Sequence, residues 1–143
     1  MMTFNRKTLY YLAGPYTHES KAIMNEREIQ HSKCAVALKN QGMAVYAPIP
    51  ETTSLAKLGG MQETNWESWR DHDLNMLDRC DELLIMNING WIQSKGVRGE
   101  VKFALQKGLP VHIIPEDGSY IMTLTKEALL ELFGVSDVEM LND

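Results

Sequence analysis

The chain has 143 residues, 44% of them hydrophobic and 23% charged, with a net charge of −5; these values suit one globular domain with a sizeable core. The acidic balance excludes a general affinity for nucleic acid or anionic membrane, since both need a basic face, and leaves room only for a local cationic pocket. No apolar run reaches the ~20 residues that span a bilayer.

The N-terminal stretch "MMTFNRKTLYYLAGP" breaks at Gly14-Pro15, without the length or cleavage site of a signal peptide. Cys34 and Cys80 lie far apart with no metal spacing. They fit buried apolar packing in a reducing, cytoplasmic setting.

In chain order, "TLYYLAG" is short, aromatic and stopped by Gly-Pro, which predicts a strand. Ile23, Ile29, Ala35, Val36 and Leu38 recur near helical spacing until Gly42, which predicts a first helix. "MAVYAPIP" predicts a second strand closed by its prolines. Residues 51–65 have weak periodicity and a Gly59-Gly60 pair, which predicts a long loop or short lid.

"WESWRDHDLNMLDRCD" predicts a second helix, with Trp66, Trp69, Leu74 and Leu77 near one side. "ELLIMNI" shows no polar alternation, as expected of a central strand buried on both faces. "GVRGEVKFALQKG" predicts a third helix and "LPVHIIP" a fourth strand. A last helix, about 125–133, and a polar tail complete a single domain over 1–143, with the C-terminal helix and tail from about 120.

This alternation predicts an α/β fold with right-handed crossovers. The class is a Rossmann/flavodoxin-like three-layer αβα sandwich on a mainly parallel sheet of four to five strands, ordered 2-1-3-4. The topological switch point then lies between strands one and three, beside the loops "AGPYTHES" and "NGWIQSKG".

The loop 90–96 feeds the N-terminus of helix three, where free N–H groups hold anions and Ser94 adds a hydroxyl. Glu100, about one turn in, reads either as a glutamate stabilising a helix end or as a carboxylate kept ionised for attack on a sugar carbon. Asp73 and Asp81 flank the turns before strand three. Asp73 reads as a surface acid and Asp81 as part of a helix-end turn, or either as a second carboxylate that donates a proton or holds the base.

Tyr10 and Tyr11 end strand one, one facing the core and the other free to aim a hydroxyl at the crevice. Thr17, His18 and Ser20 cap helix one or touch a phosphate, with capping favoured for Ser20. Trp66, Trp69 and Trp91 each offer a stacking surface for a base; core or lid packing is favoured for Trp66 and Trp69, while Trp91 reads equally as core or stacking. No Walker motif and no G-x-G-x-x-G occurs, which removes support for ATPase and dinucleotide oxidoreductase readings. The four histidines, His18, His31, His72 and His112, are scattered, and no zinc site is expected.

Four segments together, "YLAGPYTHES", "DLNMLDRCDELLIMNINGW", "SKGVRGEVKFA" and "GLPVHII", resemble the nucleoside 2-deoxyribosyltransferase superfamily over most of residues 10–114. The resemblance implies cleavage of a nucleoside N-glycosidic bond without metal or cofactor. It implies that Glu100 is the nucleophile, Asp73 the proton donor near the base, and Tyr11 the hydroxyl that orients the nucleophile. Gly14, Pro15, Thr17, His18, Asp81, Trp91, Ser94, Gly96 and Arg98 are then the expected substrate contacts.

Deoxyribosyltransferases of this superfamily usually carry Asp six residues before the nucleophile. Here that position is Ser94, which resembles the deoxynucleoside 5′-monophosphate N-glycosidases and implies a phosphate contact. Those enzymes place arginine in the first loop. This chain has "YTHES" there, leaving Lys21, Lys95 and Arg98 as substitutes. Val101 and Lys102 replace the usual Leu-Gly after the nucleophile, a change expected to narrow the pocket or disable it.

The expected partner is a small nucleoside or nucleotide, with no nucleic acid polymer and no membrane, in a homo-oligomer. The stretch "FGVSDVEMLND" either serves a neighbour's pocket or is a simple tail. The alternative function is a non-catalytic module that binds a nucleotide or an ADP-ribose-type ligand in the same crevice.

Overall fold

In a computed structural model, which describes residues 3–61 and 65–141, five strands form one sheet in the order β2-β1-β3-β4-β5. The strands are β1 Leu9–Ala13, β2 Ala44–Tyr46, β3 Glu82–Met86, β4 Val111–Ile114 and β5 Met122–Leu124. The first four are parallel, and β5 runs antiparallel to β4. The predicted order of the parallel strands and the switch point between β1 and β3 are both present. β5 has only three residues and an exposed pattern, too short to leave a period in sequence.

Helices α1 (Lys21–Asn40), α2 (Pro48–Gly59), α3 (Trp66–Asp78), α4 (Lys95–Lys107) and α5 (Lys126–Phe133) complete the sandwich. One sheet face is covered by α3, α4 and α5, through Leu77, Val97, Val101, Ala104 and Leu129 on Tyr11, Leu83 and Ile85. The other face carries Leu12, Leu84 and Met86 beneath Cys34 and Leu38 of α1. Strand β3 is apolar on both sides because both sides are covered, at about 25 cal/mol per Å² of apolar surface removed from water. No helix among the described residues is long and apolar enough to cross a membrane.

Two expectations are corrected here. Residues 51–59 are helix, not loop or lid; residues 62–64 of that predicted loop lie outside the described residues. The prolines that read as strand stops are helix starters. Pro48 and Pro50 occupy the first turn, where the missing N–H costs nothing, and the Glu51 carboxylate reaches back to accept from Ala47 N–H at 2.7 Å. Gly60, at φ +80°, supplies the left-handed stop. The second correction is the buried face of α1. His31, Cys34 and Leu38 are buried, whereas Ile29 and Val36 are exposed.

Both cysteines are buried and free, and burial pushes each thiol up to about 11, as befits inert packing groups. The C-terminal segment is held against α4. A 3-10 turn, Val138–Met140, follows α5; Gln106 Nε2 donates to Glu139 Oε1 at 3.0 Å, and Leu141 is fully buried.

Candidate active site

A cavity of about 300 Å³ opens at the C-terminal ends of β1 and β3, within the range of small-ligand pockets. The strand ends supply Ala13, Gly14, Tyr16 and Thr17 to its lining, and α2 supplies Pro48, Ile49, Thr52 and Thr53. Helix α3 contributes Trp66, Glu67, Trp69 and Asp73, and α4 with its leading loop contributes Gln93, Ser94, Lys95, Gly96 and Glu100.

Glu100 sits at the floor, 5% exposed. Helix α4 begins at Lys95 with Ser94 as its cap, Oγ accepting from Val97 N–H at 3.2 Å. Glu100 is therefore in the second turn, not the first, and the helix terminus loses its hold there. Burial dominates instead and pushes the Glu100 carboxyl well above the usual range. The Tyr11 hydrogen bond opposes this, and the neighbouring Asp73 charge adds to it. The expectation that the dipole keeps Glu100 ionised is corrected accordingly.

The Tyr11 ring is wholly buried, and its hydroxyl donates to Glu100 Oε2. Tyr11 thus does both jobs that were divided between the two tyrosines. Tyr10 lies on the opposite sheet face, packed beside the α1 cluster.

Asp73, 6% exposed, is no surface acid. Burial raises its carboxyl to about 6, against the pull of His72 at 3.3 Å. The Tyr46 ring packs 5.7 Å from that of Tyr11, and burial raises its phenol too, with Asp73 adding to the effect. Two carboxyls that line the cavity, Asp73 and Glu100, and two phenols, Tyr11 and Tyr46, therefore form one group of four acids.

The remaining predicted residues divide. Gly14, Thr17, Ser94 and Gly96 line the cavity. Trp66 lies over Gly96, where a Cβ would meet its indole at 3.4 Å. Pro15 and His18 belong to the same loop without lining it; His18 Nδ1 accepts from Ser20 N–H at 2.9 Å, and Ser20 caps α1.

Trp91 is not a stacking surface. It is 6% exposed and packs edge-on to Phe133 at 5.5 Å. Arg98 also stays out, donating to Ile92 C=O at 2.9 Å with its guanidinium over Phe133. Asp81 lies at the opposite end of the sheet, accepting from Leu9 N–H at 2.8 Å and pairing with Arg6 at 3.0 Å.

Neither residue after Glu100 narrows the pocket. Val101 is core, and Lys102 reaches the Glu139 carbonyl at 3.4 Å. Of the three candidate cations only Lys95 lines the cavity, 3.5 Å from Glu67. Among the described residues, no three His, Cys, Asp or Glu side chains converge as metal ligands would.

A family model described as a domain of unknown function, DUF1937, matches residues 8–116. The chain belongs to this family. The matched span of the DUF1937 domain runs from the start of β1 to just past β4, so it contains Tyr11, Asp73 and Glu100. No curated protein matches the chain.

Sequence reasoning missed several members of the site. The sequence pattern puts Thr52 and Thr53 in a loop and gives Tyr16 no role, yet all three line the cavity. The signal for the two threonines was the Pro-x-Pro-Glu start of α2.

Proposed function

We propose that this domain cleaves the N-glycosidic bond of a nucleoside, by hydrolysis or by transfer of the sugar to a second base. The observation that carries the reading is the buried hydrogen bond from Tyr11 to Glu100 at the cavity floor, with Asp73 in the same acidic cluster. The resemblance to nucleoside 2-deoxyribosyltransferases supports the same assignment of roles.

Ionised Glu100 attacks the anomeric carbon. The bond to the base nitrogen breaks, its electron pair leaves with the base, and the Asp73 carboxyl supplies the proton. Water then adds to the anomeric carbon, the bond to Glu100 breaks with its pair returning to the carboxylate, and the proton of the water passes to Asp73. A second base in place of water completes a transfer.

Burial raises both carboxyls, Glu100 the further, and the Asp73 charge adds to the rise of Glu100, so the pair holds one proton near neutrality. The reacting form, Glu100 ionised and Asp73 protonated, is the minor of the two singly protonated arrangements, and the reaction draws on it. Tyr11 holds the nucleophile in place, and the acidic cluster stabilises positive charge developing on the sugar. Trp66 and Trp69 offer faces to a planar base.

Glu67, Asp73 and Glu100 face a single lining cation, Lys95, among the described residues. That balance favours an uncharged nucleoside over its 5′-monophosphate. The test is release of free base from a panel of nucleosides, deoxynucleosides and their 5′-monophosphates, with Glu100→Gln as control. Release from nucleosides that the variant abolishes supports the reading. Saturable binding without turnover by either form overturns it and leaves a binding module.

A further inference from the structure

Helix α1 contributes no lining residue to the cavity. Two of its side chains nevertheless reach the loops on both sides of it. Arg27 Nη1 donates to Thr17 C=O at 3.1 Å and Tyr16 C=O at 3.4 Å, while Nη2 donates to Asn89 C=O at 3.3 Å. One helical turn on, the fully buried His31 sets Nε2 3.3 Å from Pro15 C=O. Burial lowers the His31 pKa to about 4, so the ring is neutral and Nε2 carries the proton that Pro15 accepts.

Each side chain is seated where a glycine leaves room. A Cβ on Gly14 would lie 2.5 Å from His31 Cε1, and one on Gly90 would lie 2.5 Å from Arg27 Nη2. Gly90 also sits at φ +98°, a conformation that independently favours glycine.

The parallel strands β1 and β3 last pair at Ala13 and Ile85. Beyond that point no backbone hydrogen bond among the described residues joins their loops. Arg27 makes no ion pair among the described residues; its planar fork is committed to carbonyls of both loops.

We propose that Arg27 is a positioning residue that fixes the spacing of the two loops framing the cavity, beside His31 on the first of them, and so places Tyr16 and Thr17 against the ligand. The kinetic consequence rests on the N-glycosidase reading; the mechanical one does not. Arg27→Lys does not rescue the spacing, because an ammonium is a point charge that cannot span the same set of carbonyls.

The experiment compares wild type, Arg27→Gln, Arg27→Lys and a core control on the other sheet face, Leu129→Ala. Hydrogen exchange in the free protein is expected to quicken about tenfold in segments 14–18 and 88–92 together in both Arg27 variants, and not in that pattern in the control. In base release, KM is expected to rise about tenfold in Arg27→Gln with kcat little changed, and added guanidinium is expected to restore it. Exchange that changes in one loop only, or that spreads as in the control, overturns the clasp. If wild type releases no base, the N-glycosidase reading falls while the exchange result still decides the clasp.

Discussion

Asp73 is a buried carboxyl whose charge the fold opposes, and that opposition has a size. Its pKa rises from 3.8 to about 6. At about 1.4 kcal/mol for each tenfold change in proton affinity, the ionised form costs the folded state roughly 3 kcal/mol. Below about pH 4 the folded and unfolded chains both hold the proton, and there is no cost. Between 3.8 and about 6 the unfolded chain ionises first, so stability falls as pH rises. Above 6 the full cost is present.

Asp73→Asn removes the charge and keeps the shape. The variant is expected to be more stable than wild type by roughly 2–3 kcal/mol at pH 8, with the difference nearly gone at pH 4. The pull of His72 is already contained in the net shift. Urea unfolding followed by circular dichroism at both pH values measures the difference, with the slope checked for constancy. An equal gain at both pH values, or a loss at pH 8, would refute the reasoning. A stabilised variant that releases no base would mark Asp73 as a charge kept for chemistry at the expense of stability.

The remaining predictions follow from the same cavity. Base release is expected to be bell-shaped in pH, because the reacting form carries one proton on the Glu100–Asp73 pair, with its acid limb near pH 6 where the pair takes up a second proton. Tyr11→Phe removes the bond that holds the Glu100 carboxyl down, so kcat is expected to fall about 10–100-fold and the alkaline limb to move to higher pH. Trp66→Ala is expected to raise KM while barely moving the melting temperature, since the indole lines the cavity. Trp91→Ala, at a buried aromatic contact, is expected to cost about 3–5 kcal/mol of stability instead; thermal melts beside KM measurements separate the two.

Much of the fold was legible because its signals are local. Apolar runs mark β1, β3 and, around His112, β4, and the cap Ser20 stands where α1 begins. Helix α2 was not, because proline has opposite meanings at a strand end and in a first helical turn. Tyr11 and Glu100 are 89 positions apart, so no spacing rule could join them, and their pairing came from resemblance alone. Trp91 sits in the core and not in the cavity because the loop after β3 folds it back onto Phe133, a tertiary contact with no local pattern. Arg27 and His31 left one trace, a cation and an imidazole one helical turn apart. It acquires meaning only beside two distant glycines.

Helix α2 has a further consequence. The four acidic groups stand on β1, β2, α3 and α4, whereas α2 lines the cavity without supplying any of them. Its start is set by residues 47–51 and its end by Gly60. It is a replaceable panel: a different segment between β2 and α3 would reshape what the cavity admits while the acids beneath it stayed in register. The α2 part of the cavity wall and the acids beneath it are thus held on separate stretches of chain.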